Sequence, residues 1–245
     1  MNQNLNISQG LQYRINEDGE TCAVTGMGAC TDSALVIPEE IDGYPVTVIA
    51  KLAFGDRKEL VSVVIPDSVK RIETHAFRHC KSLVSAVIGN SVTEIGWGAF
   101  VGCHSLESIV IPDSVTSIDK CAFFFCKGLT SAVIGNSVQV IGSSAFADCK
   151  HLKSVVIGNS VTEIGNEAFS DCTALEYVTI PFSVTKIGEY AFYRCDSLFE
   201  VQYDGTDEDW LFVRKLNWDR DSHIKTIRFN AQPDVGATPA ESDFD

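Results

Sequence analysis

The stretch AFRHCKSLVSAVIGNSVTEIGWG at residues 76–98 is followed at once by a second version of itself, AFVGCHSLESIVIPDSVTSIDKC, at 99–121. Its Ala-Phe pair occurs seven times, each 23 residues after the last, with the aromatic residues at Phe54, Phe77, Phe100, Phe123, Phe146, Phe169 and Phe192. A fixed period of this length predicts a solenoid, in which every period is one coil stacked on its neighbours.

Each unit contains a short segment with the alternation of a β-strand. In residues 106–111, Ile109 and Ile111 are separated by one residue, which is the two-residue period of a strand. Stacked units then form a parallel sheet. A Pro-Asp or Gly-Asn turn follows in most units, and after it an S-V-x-x-I segment whose two apolar residues point into the core. The A-F-x-x-C segment is predicted to form a short helical turn, because its Phe, Cys and Leu recur at intervals of three.

The unit LxxLxIPxSVxxIGxxAFxxCxx, in phase over roughly residues 35–203, closely resembles the BspA-like leucine-rich repeat family. The resemblance implies a leucine-rich repeat solenoid: a right-handed stack of 23-residue units with a parallel β-sheet on one face, short helical turns on the other and a cap at each end. Arg57 replaces the cysteine of the first unit and Tyr203 replaces the isoleucine of the last. Both departures lie in terminal units, which are atypical in solenoids.

The flanking segments give the expected domain organisation. Residues 13–25 resemble the family's hairpin cap, and residues 203–206 with Trp210 resemble its closing cap. We therefore expect an N-terminal cap with a β-hairpin and first strand at 1–44, repeats at 45–203, a C-terminal cap at 204–230 and an acidic, disordered tail at 231–245.

The charge distribution limits the partner classes. The net charge is −14, and residues 1–50 carry seven acidic residues against Arg14 alone. Residues 51–200 carry sixteen acidic and thirteen basic residues, without a clustered basic stripe, so nucleic acid is not an expected partner. No apolar run approaches the length of a membrane span. The first residues lack the pattern of a signal peptide. The chain is thus either intracellular or a trimmed mature form, and the family resemblance favours a secreted or cell-surface location.

The cysteines and histidines are interpreted as structural. Six of nine cysteines hold one repeat position, and we predict that they are small buried hydrophobes, since residues in one column project in parallel: Cys80, Cys103, Cys126, Cys149, Cys172 and Cys195. Cys22 and Cys30 could pair in an exported protein. His75 and His79 have a spacing that could bind metal on a helix, but two surface histidines are the favoured interpretation. We predict no metal and no cofactor.

A basic column follows each A-F-x-x-C segment, formed by Lys58, Lys81, Lys127 and Lys150, with His104 in the same series. It is either an anion-binding ladder or a set of caps for the helical turns, and the capping role is favoured. No motif for a catalytic nucleophile, phosphate-binding loop or metalloprotease occurs. The chain is therefore not predicted to be an enzyme, and no catalytic residues are assigned.

The predicted binding residues lie on the outward face of the sheet. Five units place valine just before the last strand position, and later units supply larger or polar residues nearby: Val64, Val87, Val110, Val133, Val156, Tyr177, Thr179 and Phe199. A contiguous apolar stripe usually marks a contact surface. Alternatively, valine is repeated because an exposed strand favours it. Both explanations fit the sequence equally well.

The predicted function is a non-catalytic recognition or adhesion module that binds a partner protein on the open sheet face. The family resemblance implies a host or matrix protein, with a glycan as the less favoured ligand. The alternative is a structural spacer without a ligand of its own. We expect a monomer that binds no nucleic acid and has no membrane span.

Overall fold

The structure is a computed structural model that describes residues 7–230. The predicted tail at 231–245 lies outside the described residues. In chain order the elements are β1 (Gln12–Ile15), β2 (Cys22–Gly26), β3 (Ala34–Val36), β4 (Glu40–Ile41), β5 (Tyr44–Ile49), β6 (Ser62–Val64), β7 (Arg71–Ile72), β8 (Ser85–Val87), β9 (Glu94–Ile95), β10 (Ser108–Ile111), β11 (Ser117–Ile118), β12 (Ser131–Ile134), β13 (Val140–Ile141), β14 (Ser154–Val156), β15 (Glu163–Ile164), β16 (Tyr177–Ile180), β17 (Lys186–Ile187), β18 (Glu200–Tyr203), α1 (Asp207–Phe212), β19 (Arg214–Lys215) and β20 (Thr226–Phe229).

These strands form two sheets with the core between them. The first sheet has nine strands in the order β20-β18-β16-β14-β12-β10-β8-β6-β3, and all its pairings are parallel. The second has eleven strands, and its repeat members are only two residues long. Each coil thus supplies a strand to the first sheet, a tight turn, a short strand to the second sheet and a run of turns. The predicted parallel-strand solenoid of 23-residue units is confirmed.

A column of stacked phenylalanine rings runs through the core. The seven repeat phenylalanines have 0% exposed surface, and successive ring centroids lie 5.0–5.4 Å apart with interplanar angles of 4–15°. The stack ends on Trp218, whose ring meets Phe192 edge-on at 5.7 Å. Aromatic contacts of this kind contribute about 0.5–1.5 kcal/mol beyond area burial. Because each inner ring touches two others, the column ties every repeat to both neighbours.

The A-F-x-x-C segments consist of consecutive turns, so the predicted helical turns are wrong. In the unit at Phe100, the N–H groups of Ala99 and Cys103 donate to carbonyls three residues earlier, at 3.1 and 3.2 Å. The N–H of Phe100 donates instead to Ala122 of the next coil, at 2.8 Å. Two residues before and after each ring, the backbone is left-handed, as at Cys121 and Phe125 with φ of 56° and 63°. A left-handed residue interrupts a right-handed helix, and the hydrogen bonds run between coils.

The repeated cysteines are buried beside this stack, as the sequence predicts. All six have 0% exposed surface and are free thiols. Each Sγ–H donates to the carbonyl of the phenylalanine 26 residues earlier, at distances of 3.0–3.3 Å. Burial raises the pKa of the thiols of Cys103, Cys149 and Cys172 well above the usual range. Cys22 and Cys30 are also free and buried in this structure.

The turns between the two sheets also stack closely. A Cβ added at Gly158 would lie 2.2 Å from the carbonyl oxygen of Gly135 in the preceding coil, so only glycine fits there. At other coils the Asp or Asn of the turn links neighbours, since the Oδ1 of Asp113 accepts from the N–H of Asn136 at 2.6 Å. This explains the Gly-Asn turns of the repeat.

The two ends of the described chain differ in construction. At the start, β1 and β2 form an antiparallel hairpin, and β2 joins the second sheet beside β5. At the end, Thr206 caps α1 through a reciprocal pair of hydrogen bonds with Asp209. Trp210 and Trp218 are each 7% exposed, with ring centroids 5.6 Å apart. The aromatic residues of this segment therefore cover the last repeat.

Replacing one interior ring should be strongly destabilising. Phe123→Ala leaves a cavity between two neighbouring rings and is expected to lower the free energy of unfolding by about 3–5 kcal/mol, measured by chemical denaturation. Phe192 packs between Phe169 and Trp218, so Phe192→Ala is expected to cost a similar amount. Phe182 is 60% exposed, so Phe182→Ala is the matched control and should cost less than about 0.5 kcal/mol. A neutral Phe123→Ala would show that the ring column does not hold the coils together.

Thiol labelling should distinguish Cys121 from the buried cysteines. Cys121 is half-buried, whereas Cys103 and Cys149 have no exposed surface. Burial nevertheless raises the pKa of the Cys121 thiol, so less of it is thiolate at neutral pH and it should react more slowly than an exposed thiol. Native labelling with mass mapping should modify Cys121 well before Cys103 or Cys149. Equal rates at the three positions would contradict the burial described.

Candidate interaction surface

The predicted valines form one continuous row on the outer side of the first sheet. Strand register pairs Val64 with Val87, and joins Val110, Val133 and Val156 in succession. We call these five residues the valine row, and the outer side of the nine-stranded sheet the open sheet face. Adjacent strands lie about 4.8 Å apart, so neighbouring valines are close enough to form one surface.

The exposure of these residues follows the strand alternation. Val87, Val110 and Val156 are 56, 61 and 58% exposed, and Val133 is 39% exposed. The inward-facing Ile109, beside Val110, is only 2% exposed. Val64 is half-buried. The valine row therefore presents apolar side chains to solvent, and the core does not require them.

The row changes character towards its C-terminal end. Val156 pairs in register with Thr179, whose hydroxyl donates to the Tyr177 hydroxyl at 3.0 Å. Tyr177 is 48% exposed on the same face, and Phe199, just before β18, is 52% exposed. The Lys225 ammonium lies 5.8 Å from the centroid of the Phe199 ring. The apolar row thus ends in a mixed aromatic and polar area.

Beyond that area the face becomes charged. Gln202 and Arg228 continue the row on β18 and β20. The Nε of Arg228 lies 2.6 Å from a carboxylate oxygen of Glu200, and this hydrogen bond raises the pKa of the guanidinium. An ion pair of Arg228 with Glu200 therefore lies at the C-terminal end of the open sheet face.

The sequence reasoning missed the N-terminal end of the row. Val36 pairs in register with Val64, which adds one more strand position to the row. Residues from β3, β6 and β8 line a concavity of about 650 Å³ there, with Ile7 at its edge. Val36 precedes an Ile-Pro pair, as Val64 does. That similarity was a usable signal for Val36, whereas the contribution of Ile7 depends on the folded chain.

The basic column on the turn side has local partners. Its proposed role as a set of helix caps is wrong, because the segments it follows are turns without helix. The Lys127 ammonium lies 4.2 Å from the centroid of the Phe125 ring, and Lys150 lies 3.5 Å from Asp148. These contacts give the column a structural role that needs no bound anion.

The paired histidines likewise have protein partners. The Nδ1 of His79 lies 3.2 Å from a carboxylate oxygen of Asp56. The His75 ring packs on Trp97 at 4.7 Å, and burial lowers the pKa of that imidazole. Within residues 7–230, no three His, Cys, Asp or Glu side chains are arranged to hold a metal ion. In the same residues, no helix combines the length and the apolar character needed to cross a membrane.

Comparison with known proteins places the repeats among bacterial relatives. Residues 47–176 and 164–207 match the "BspA type Leucine rich repeat region", with six copies. A leucine-rich repeat protein of T. pallidum, TpLRR, is 34% identical in sequence; the match covers 78% of this chain and 88% of that one, with a TM-score of 0.71. No curated protein matches the chain.

Two further crystal structures share the fold. A leucine-rich repeat protein from Bacteroides ovatus is 22% identical, with coverage of 90% of this chain and 75% of that one and a TM-score of 0.66. The pneumococcal vaccine antigen PcpA is 24% identical; the match covers 81% of this chain and 49% of that one, with a TM-score of 0.53. At these identities the likeness concerns the fold alone.

Proposed function

This chain belongs to the BspA-type leucine-rich repeat family, and from that membership we propose that it is a non-catalytic recognition module that binds a partner protein on its open sheet face. The observation that carries the proposal is the valine row, which is exposed and in register across successive strands. Leucine-rich repeat proteins generally act through protein contacts. Adhesion to a host or matrix protein at a cell surface is part of the proposal.

The second sheet supplies an internal comparison. If valine were repeated only because exposed strands favour it, the outer positions of the second sheet should also be rich in valine. Those positions hold one valine among six different strands: Arg71, Glu94, Ser117, Val140, Glu163 and Lys186. Both sheets are parallel and stacked at the same repeat distance. The repetition on the first sheet alone therefore favours selection for contact over strand propensity.

The size of the surface is compatible with a protein partner. From Val36 to Thr179 the row crosses seven strands, which gives a length of about 29 Å at 4.8 Å per step. A row of serines runs beside it on the same strands: Ser62, Ser85, Ser108, Ser131 and Ser154. Small side chains flanking an apolar row leave it accessible to a flat partner surface. The exposed rings of Tyr177 and Phe199 are the expected hot spots, since aromatic residues are enriched there.

Charge placed on the row should abolish partner binding without unfolding the protein. We expect Val110→Asp with Val133→Asp to weaken binding to the best ligand in a panel of purified extracellular matrix proteins by more than tenfold, measured by surface plasmon resonance. The reason is that a carboxylate opposes apolar contact, and its side chain stays in solvent. Circular dichroism should remain native.

Two matched variants control this experiment. Gln139→Asp with Val140→Asp makes the same change in charge on the second sheet, where Val140 is 38% exposed against 39% for Val133, and should leave binding intact. Lys81→Glu with Lys127→Glu tests the basic column. Loss of binding in the lysine variant alone would place the site on the turn side. If no panel protein bound the unmodified chain, the structural spacer would be the better account.

A further inference from the structure

The concavity at the N-terminal end of the valine row is an open groove with a mainly apolar lining. Its apolar lining includes Val36, Val64 and Val87, one from each of three adjacent strands, with Ile7 on the outer side. Ile7 and Val87 are 53 and 56% exposed. The volume of about 650 Å³ accommodates several side chains of a peptide. The lining contains no aromatic ring and no cluster of buried polar side chains of the kind that orients a small cofactor.

The outer wall of the groove is fixed by a buried serine. Ser8 is 2% exposed; its N–H donates to the Val36 carbonyl at 2.9 Å, and its Oγ accepts from the Val36 N–H at 3.0 Å. These two bonds hold Ile7 beside the edge strand. They also occupy both backbone polar groups of Val36, so a partner cannot add a strand at this position. Recognition in the groove therefore depends on side chains.

The charge of the groove has one sign. Glu39, Glu40 and Asp67 line it, and no lysine or arginine does. None of the three carboxylates takes part in the ion pairs found among residues 7–230. The positive groups of the open sheet face, Lys225 and Arg228, belong to the opposite end of the stack, beside β18 and on β20. An apolar floor with an acidic rim is complementary to a segment that carries both aliphatic and basic side chains.

We propose that this groove receives an extended basic segment of the partner protein, in which a branched aliphatic side chain packs over Val64 and Val87 while lysine or arginine side chains pair with the carboxylates. The inference rests on the recognition role proposed above and specifies the chemistry of the partner. It also orients the partner, because the basic segment lies at the N-terminal end of the row and away from Arg228.

The test uses a defined peptide and the full chain. The probe is a fluorescein-labelled heptapeptide of alternating lysine and valine, followed by fluorescence anisotropy. The two control peptides alternate glutamate with valine and lysine with glycine. We expect the lysine–valine peptide to bind at least tenfold more tightly than either control. Its affinity should fall as salt rises from about 0.05 to 0.5 M, since added salt screens charge pairing.

Variants of the groove locate the binding. The rim charge is removed by a triple variant that combines Glu39→Gln, Glu40→Gln and Asp67→Asn. This variant should bind the lysine–valine peptide at least tenfold more weakly. The amide introduced by Asp67→Asn keeps an acceptor for the Asn90 N–H, as Asn136 does for Asn159, so the fold should be retained. Val87→Ser should weaken binding similarly. Val140→Ser, at an exposed valine of the second sheet, is the matched control and should change the affinity less than twofold.

The outcomes separate this inference from the proposed function. Equal binding by the charge-neutralised variant, or by the lysine–glycine peptide, overturns the groove assignment. No binding of the lysine–valine peptide at about 1 mM does so as well. If Val110→Asp with Val133→Asp still abolishes binding of a matrix protein, the recognition role stands without the groove. If the unmodified chain sedimented as a dimer and the groove variants as monomers, a second copy of the chain would be the occupant, and the proposal would also be overturned.

Discussion

The strict step of 23 residues is the constraint on which this structure depends. Backbone N–H groups in each coil donate hydrogen bonds to carbonyls in the next coil. The Phe77 N–H donates to the Ala99 carbonyl, and the Phe100 N–H donates to the Ala122 carbonyl. The rings stack at 5.0–5.4 Å only if every coil has the same length. One extra residue in one coil would move the following strand out of register and turn its inward side chains outward. The burial of phenylalanine, cysteine and leucine columns thus fixes the spacing, and the spacing in turn aligns whatever lies on the surface.

That alignment gives the outer columns their functional significance. Packing forces the inner residues to repeat, because each must fit between identical neighbours. The outer positions meet solvent and are free to vary, as the second sheet shows with Arg71, Glu94 and Val140 at equivalent sites. Repetition of valine on the open sheet face therefore requires a reason other than packing. The partner that we propose, which contacts several coils at once, supplies this reason, and in our proposal the acidic groove at one end orients that partner.

Much of this architecture could be predicted from the sequence, because each inner column leaves a periodic trace. The phase of Cys126 and its equivalents predicted their burial, and the alternation around Ile109 predicted the first sheet. The interval of three between Phe, Cys and Leu was misleading, since consecutive turns produce it as readily as a helix. The left-handed backbone at positions such as Cys121 is visible only in the structure, because the residues at the equivalent positions of the other repeats share no chemical type. The groove could not be predicted from the sequence, because Ser8 and Val36 are distant in sequence from Val87. These residues come together only when the coils stack.

Deleting one period is the most direct test of the central claim that the 23-residue step aligns the whole molecule. Removal of residues 116–138 joins Val115 to Gln139 and leaves a complete S-V-x-x-I segment, whereas removal of 116–137 leaves the same coils one residue out of phase. Thermal unfolding followed by circular dichroism should remain a single cooperative transition after the 23-residue deletion. The 22-residue deletion should abolish that transition or lower its midpoint by more than about 10 °C. Equal stability of the two shortened chains would contradict the account.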